Sequence, residues 1–379
     1  MNYYFIYSAG GGGGDWNGIK RVWNENMPVE LKNSILLKFG DVFFNHVSSK
    51  SILRPERWSN ISNLREWLYN DVNDKYVLND SNILLDTGSA KIVGWIDHHN
   101  KIENCDQLIK LFDDIVTNNK ILEKYVDTII QSNITHAITF DIPNPFKIRT
   151  QGENTRLNIL NTAKSNDKLI MASAKYANKM FELLKKGLGI EKAESILMTT
   201  INGMWSPGEV REFLALLNYT PKKIAIGGLS SVRGNSISTY IPTLEKLDLH
   251  SYEKIHFLGC GGIKKIKILK ESGFSNDKFS VDVSTPINRV IEGSMKNSVC
   301  SGYYDYNSLT LHRIKSDTKN EILNLHSSTT SPLFSKEQME KILNDILTHQ
   351  GGNSSESTYD SRAKLIIHNN DVYRRYAKK

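Results

Sequence analysis

Short runs rich in Ile, Leu, Val and Phe recur along the chain, each followed by a turn and then by apolar residues at helical spacing. They are YYFIY (3–7), ILLKF (35–39), ILLD (83–86), AITFD (137–141), SILMT (195–199), KIAIG (223–227), IHFLG (255–259) and FSVDV (279–283). The runs are continuously apolar, as parallel strands covered on both faces are. Between them lie amphipathic stretches such as DQLIKLFDDIVTNNKILEKYVDTII (106–130) and RLNILNTAKSNDKLIMASAKYANKMFELLKK (156–186). Eight βα repeats in about 290 residues predict an α/β fold, a (β/α)8 TIM barrel, with its active site where strands end and βα loops begin. A doubly wound sheet carries the same alternation and stays open as a second architecture.

The barrel is expected over residues 1–295, with residues 296–379 as a C-terminal extension. That extension is basic and rich in Ser and Asn, with a helix near 335–349 and a polar linker, QGGNSSESTYDS (350–361). It ends in VYRRYAKK, where tyrosines alternate with Arg374, Arg375, Lys378 and Lys379. Such interleaving suits single-stranded nucleic acid, although a charged tail can also be merely solvated.

Composition narrows the class. Hydrophobic residues make up 39% and charged residues 23% of the 379, ordinary for a globular chain with a sizeable core. No apolar run reaches the roughly 18 residues of a membrane span, and MNYYFIYSAGG lacks the basic start of a signal peptide. Three scattered cysteines, Cys105, Cys260 and Cys300, argue against a disulfide framework and fit a cytoplasmic location. The net charge of +7 permits a polyanionic partner.

The chemistry is carried by what stands at the strand ends. Strand one runs into GGGGG (10–14) and Asp15, strand three into Asp86-Thr87-Gly88, and strand four into Asp141. Strand five reaches Asn202-Gly203, strand six Gly227-Gly228, strand seven Gly259-Cys260-Gly261-Gly262, and strand eight Asp282. One such acid can simply cap the following helix. Three of them around one barrel mouth form a candidate site.

Asp86-Thr87-Gly88-Ser89 is also the active-site turn of aspartic proteases. Those enzymes need two such turns whose carboxylates share a proton. This chain has one, and its surroundings alternate strand with helix. The protease reading fails.

In their order, the strand ends resemble the tRNA-guanine transglycosylase family. Its Asp-Ser-Gly-Gly-Phe-Gln turn is similar to Asp86-Thr87-Gly88-Ser89-Ala90-Lys91, and its Phe-Asp-Glu-Cys turn to Phe140-Asp141-Ile142-Pro143. Its Val-Gln-Gly-Gly-Met-Tyr segment resembles Thr200-Ile201-Asn202-Gly203-Met204-Trp205. Ala225-Ile226-Gly227-Gly228-Leu229 matches the family's Ala-Ile-Gly-Gly-Leu, and Val281-Asp282-Val283-Ser284-Thr285-Pro286 with Gly293 resembles its Phe-Asp-Cys-Val-Leu-Pro and following Gly. The resemblance covers residues 80 to 295. It implies a (β/α)8 enzyme that exchanges guanine for a free 7-deazaguanine base. Asp282 would be the nucleophile, Asp86 the general acid/base and Asp141 the reader of the base, with Asn202, Gly227, Gly228 and Gly88 lining its pocket.

Several positions depart from the family. Ser89 and Ala90 replace a Gly and an aromatic, and Ile201 stands where the family has Gln, with Asn202 beside it. Asn288 and Ile291 replace two arginines that touch RNA, leaving Arg289 one position off. Ile367-His368-Asn369 resembles the family's zinc-binding Ile-His-Asn segment, yet the accompanying Cys-x-Cys-x-x-Cys is missing. A structural zinc wants four ligands, and Cys300 with His312 or His368 falls short. No metal or cofactor is expected, and His368 reads as a solvated loop residue. These departures resemble the DNA 7-deazaguanine transglycosylases (DpdA type), which makes DNA the expected partner, with Arg289, Arg374 and Arg375 as candidate contacts. The alternative is a tRNA substrate.

The pentaglycine has neither the Gly-Lys-Ser/Thr of a P-loop nor the G-x-G-x-x-G spacing. Asp15 and Trp16 could stack on nucleic acid or belong to the core. His98-His99 reads as a polar loop. A small-molecule (β/α)8 lyase or aldolase remains the reading of another class. It would be supported by a Schiff-base lysine ending a strand, and none is evident.

Overall fold

The eight apolar runs form parallel strands that close on themselves. In chain order they are β1 (Asn2–Ile6), β2 (Ser34–Lys38), β3 (Asn82–Asp86), β4 (His136–Ile138), β5 (Leu197–Asn202), β6 (Lys223–Gly227), β7 (Lys254–Phe257) and β8 (Phe279–Asp282). Each pairs with the next, and β8 returns to β1, placing Asp282 beside Tyr4. Closure excludes the doubly wound sheet. The computed structural model describes residues 1–6, 26–39, 44–45, 52–53, 81–100, 102–143, 163–232, 234–287, 289–290, 301–348 and 356–379. The pentaglycine, Asp15, Trp16, Asn288, Ile291, Gly293 and Cys300 lie outside them.

Strand register fixes which side chains share the barrel lumen. Asp86 faces the same way as Leu84, Leu84 is level with His136, and Ile138 is level with Met198. Period-two alternation carries that face along β5 to Asn202, which is level with Gly227. From Ala225 it passes to His256, Ser280 and Asp282, then to Tyr4, and by Ile6 and Leu36 to Lys38 beside Asp86. The parity returns to its start consistently. A contact across the barrel agrees with it: the Lys254 ammonium lies 3.0 Å from the Tyr4 hydroxyl and 3.1 Å from His136 Nε2. No two of those strands are neighbours, so the three side chains meet in the lumen.

The opposite face packs under helices, where burying side chains such as Ile83, Ile224 and Phe257 contributes about 1.5–3 kcal/mol each. Three helices lie between β3 and β4: α1 (Ser89–His99), α2 (Cys105–Asn118) and α3 (Ile121–Gln131). The stretch 106–130 therefore breaks in two at Lys120, whose φ of 50° no helix accommodates. Asn104 caps α2 by accepting from Gln107 N at 2.9 Å. His98 and His99 close α1 instead of forming a loop, and the His99 ring stacks on Trp95. The next helices are α4 (Ala163–Leu188), α5 (Ile190–Ile196), α6 (Pro207–Ala215) and α7 (Ile263–Glu271). Ser206 and Glu209 form a capping box at α6, with Pro207 in its first turn.

The C-terminal extension is docked on the barrel. A hairpin of β9 (Gly302–Tyr304) and β10 (Leu311–Arg313) precedes α8 (Lys319–Ser327), α9 (Lys336–Thr348) and α10 (Glu356–Lys378). The second half of the expected polar linker is the first part of α10. Tyr3 of β1 donates to Asn370 Oδ1 at 2.8 Å, and Asn369 brackets β9 by accepting from Tyr304 N and donating to the Gly302 carbonyl.

Two expectations for this region are corrected. His368 is fully buried in α10, with Nε2 donating to the Tyr304 carbonyl and its ring stacked 4.5 Å from Tyr303. Burial holds its pKa down at about 3, so it is neutral. Arg374 and Arg375 are engaged inside the protein, both bonded to the buried carboxylate of Asp371, with Arg375 also donating to the Ser331 carbonyl. Spacings of three and four residues put all three on one helix face. Removing Asp371 would strand two partly buried cations, which is why the arginines act as helix anchors.

Among the described residues no helix is long and apolar enough to cross a membrane.

Candidate active site

Asp86, Asp141 and Asp282 converge at the C-terminal mouth of the barrel, near enough for Asp282 to act electrostatically on Asp86 and Asp86 on Asp141. Asp282 is buried at the end of β8. Its Oδ1 accepts from His256 Nε2 at 3.0 Å and from Gly259 N at 2.7 Å. Burial alone would raise its pKa, yet the His256 bond and charge, Lys38 and the Gly259 N–H together outweigh it and hold Asp282 below the ordinary carboxylate value. Asp282 is therefore an anion kept ionised. Two glycines make this possible. Gly259 has a φ of 66°, and a Cβ there would come within 2.6 Å of Ser230 Cβ. A Cβ at Gly261 would come within 2.9 Å of the Asp282 backbone, which its own N–H bonds.

Asp86 goes the other way. Its pKa is raised, with burial the first cause and the Asp282 charge a lesser one, opposed by Lys38, the Gly88 N–H and His256. Gly88 has a φ of 73°, so the chain can turn from β3 into α1 directly after Asp86. The two acids thus have opposite tendencies a few residues apart in space.

Asp141 lies beyond its strand: β4 ends at Ile138, and pairing continues through Thr139, whose Oγ1 accepts from Thr200 N at 2.8 Å. Ser173 holds the following loop by accepting from Ile142 N at 3.0 Å. Thr87 and Ser89 hydroxyls lie 2.8 Å apart, and Ser89 in turn hydrogen-bonds Asp141. Ser89 thus ties two of the acidic turns together. Burial, then the Asp86 charge, push Asp141 up to about 7.

That shift has a stability consequence of definite sign. A carboxyl whose folded pKa exceeds its unfolded value costs stability as pH rises between the two, here from about 4 to about 7. Asp141→Asn, which keeps an acceptor for Ser89, is expected to melt at a higher temperature than the wild type at pH 8 and at the same temperature at pH 4. Thermal melts at the two pH values check this; an equal shift at both would detach the effect from Asp141 ionisation.

Asn202 and Gly228 interlock. Gly228 has a φ of 80°, and a Cβ there would sit 2.3 Å from Asn202 Oδ1, which accepts from Met204 N at 3.0 Å. Ile201 is fully buried on the outward face, and Asn202 is the polar group that ends β5 on the lumen face. At Gly227 a Cβ would meet only ordinary contacts of 3.7 Å or more, with Thr200, Leu258 and the Ile201 carbonyl. Arg289 is exposed in the helical turn after β8.

Three residues of the site are not singled out by sequence reasoning: Lys38, His256 and Ser280. Lys38 corrects an expectation directly, because a lysine does end a barrel strand, level with Asp86 and on the same face. Among the described residues no group of three or more His, Cys, Asp or Glu side chains is arranged to hold a metal. His368 sits among the Tyr303, Tyr306 and His326 rings.

No protein-family model matches the chain, and no curated protein matches it in sequence.

Proposed function

We propose that the protein is a base-exchange transglycosylase, a glycosyltransferase that replaces guanine in DNA with a 7-deazaguanine through a covalent aspartyl-glycosyl intermediate. The observation that carries this reading is the split between two neighbouring carboxyls at the mouth of a (β/α)8 barrel, Asp282 held as an anion and Asp86 biased toward its acid. A glycosyl transfer with retention needs that pair, one group to attack the sugar and one to move the proton.

In the forward step Asp282 attacks C1′, and the C1′–N9 bond breaks with its electron pair passing to the departing guanine. Asp86 supplies the proton that the leaving base takes up. In the return step Asp86, now a carboxylate, removes the N9 proton of the incoming base, whose N9 attacks C1′ and releases Asp282. The strand stays joined to the protein between the two steps. Asp141 as a carboxylate accepts from the N1–H and exocyclic amine of guanine. With its pKa near 7, base binding must expel a proton below neutrality and so weakens as pH falls. Asn202 keeps its amide N–H groups for the O6 carbonyl, and Gly227 and Gly228 leave the base edge room. A base in a duplex must be flipped out to reach this depth.

DNA over tRNA is supported by the missing Cys-x-Cys-x-x-Cys segment and by Asn288 and Ile291 after Pro286. The C-terminal arginines, bound to Asp371, no longer add to it. Phosphate contacts give affinity with little identity, so turnover is the discriminating measurement. Labelled 7-cyano-7-deazaguanine is expected to enter guanine-containing DNA and not a tRNA with guanine in its anticodon loop. Preferential labelling of the tRNA would move the substrate and keep the chemistry.

Lys38 favours a second reading, a small-molecule lyase or aldolase forming a Schiff base at the end of β2. Its signature would be borohydride-dependent modification of Lys38 with 2-oxo acids or aldehydes, together with no labelling of either nucleic acid.

A further inference from the structure

We propose that His256, braced by Ser280, is a positioning residue for Asp282: it fixes one carboxylate oxygen so that the other is presented to the sugar. This rests on the reading of Asp282 as the nucleophile, but the geometry on which it stands does not.

The three side chains are consecutive on the lumen face. Ser280 is level with His256 across β7 and β8, and Asp282 follows Ser280 by two residues on the same strand. His256 Nδ1 lies 2.9 Å from Ser280 Oγ, which also lies 3.2 Å from the Ile255 carbonyl. His256 Nε2 lies 3.0 Å from Asp282 Oδ1. An ionised carboxylate only accepts, so Nε2 must carry a hydrogen. Ser280 Oγ can take either role toward Nδ1 without disturbing that assignment. The Tyr4 ring meets the imidazole edge-on at 5.3 Å and stops it from turning.

Oδ1 of Asp282 consequently receives two N–H groups, from His256 and from Gly259 at 2.7 Å. Among the described residues Oδ2 receives none. A carboxylate clamped through one oxygen keeps a fixed plane and keeps its unclamped oxygen the more basic of the two. That is what attack on C1′ along one line requires, since a displacement of about 1 Å at a reacting atom can cost on the order of 10²-fold in rate. His256 touches neither base nor sugar in this arrangement. It acts through Asp282.

The other charged or titratable groups around the pair include Lys38 and Asp86 on the rim, Tyr3 and Tyr4 on β1, His136 below, and Cys260 with Lys265 behind the turn after β7. Lys38 bears on Asp282 by charge; among the described residues His256 and Gly259 are the groups that bond it. Removing His256 should therefore change the position and the ionisation of Asp282 together.

The test uses two variants and one measurement on the unaltered protein. His256→Gln keeps an N–H near the Nε2 position, whereas His256→Leu keeps only bulk. In base exchange, His256→Leu is expected to lose on the order of 10²-fold in kcat with KM for the DNA little changed, and His256→Gln to recover most of that loss. A residue that only filled space would show the same rate in both. Independently of any activity, the 15N spectrum of ring-labelled wild-type protein is expected to show His256 Nε2 protonated at pH 7. The 13C titration of the Asp282 carboxyl is expected to move upward in His256→Leu. An unprotonated Nε2, or an Asp282 titration identical in wild type and His256→Leu, overturns the proposal. If no substrate is turned over while both spectroscopic results hold, the transglycosylase reading falls and the positioning of Asp282 stands. If His256→Leu does not fold, Ser280→Ala takes its place, with the expectation that the Nδ1 resonance of the His256 ring shifts as its 2.9 Å partner is lost while Nε2 stays protonated; an unchanged ring spectrum in that variant removes Ser280 from the device.

Discussion

Asp282→Ala is expected to abolish base exchange, with a loss on the order of 10⁴-fold or more, the scale on which covalent catalysis fails without its nucleophile. The expectation follows from placement. Asp282 is the one acid of the site that the protein works to keep ionised, through His256, Lys38 and the Gly259 N–H acting against burial. An anion so held has an electron pair available at neutral pH, and among the described residues no other carboxyl at the mouth is both held ionised and hydrogen-bonded by two N–H groups. A guanine-containing oligonucleotide should form a denaturation-stable adduct with the wild type, mapping to the peptide that holds Asp282. The adduct should be missing from Asp282→Ala. Exchange at a near wild-type rate in that variant, or an adduct on another residue, would remove Asp282 from the role. The same substitution also bears on stability. A carboxyl whose folded pKa lies below its unfolded value stabilises the fold above that unfolded value and ceases to do so as pH falls through the folded one. Asp282→Asn should therefore lower the melting temperature at pH 7 more than at pH 3, and circular dichroism at both pH values separates a folding defect from a catalytic one.

The strand ends were legible because an acid or glycine after a continuous apolar run is a visible change of composition. Asp86, Asn202, Gly227 and Asp282 all end the strands that carry them. Asp141 was found by the same rule although β4 stops three residues earlier, since Thr139 extends the pairing through its side chain. Lys38 and His256 were hidden for one shared reason. Inside ILLKF and IHFLG each reads as an interruption of a buried strand, and only the register of a closed barrel tells lumen from helix-covered face. Closure is a property of eight strands together, which no single run displays. The C-terminal arginines misled because a basic run suggests solvent. The partner that buries them, Asp371, stands three and four residues earlier in a segment whose helical face was not yet known.

Asp86 should show the second large effect, with Asp86→Asn slowing exchange by about 10²–10⁴-fold, the usual range for a general acid or base. Its environment explains why it and not Asp282 moves the proton. Both are enclosed and both feel Lys38 and His256, yet Asp282 bonds His256 directly, whereas the hydrogen bond that Asp86 accepts is the 3.4 Å contact from Gly88 N, and with Lys38 and His256 it does not offset burial. Burial therefore prevails at Asp86, and its proton is retained to higher pH than on an ordinary carboxyl. The sign of the pH effect follows. Expulsion of guanine needs the acid form, so its rate in the wild type should fall as pH rises through the raised pKa. Release of labelled guanine in a single turnover without incoming base isolates that step. In Asp86→Asn the release should be slow and flat over the same pH range, because an amide has no proton to lose there. A variant that keeps the falling limb would assign the acid to another group, and Asp141, pushed up to about 7 beside it, would be that group.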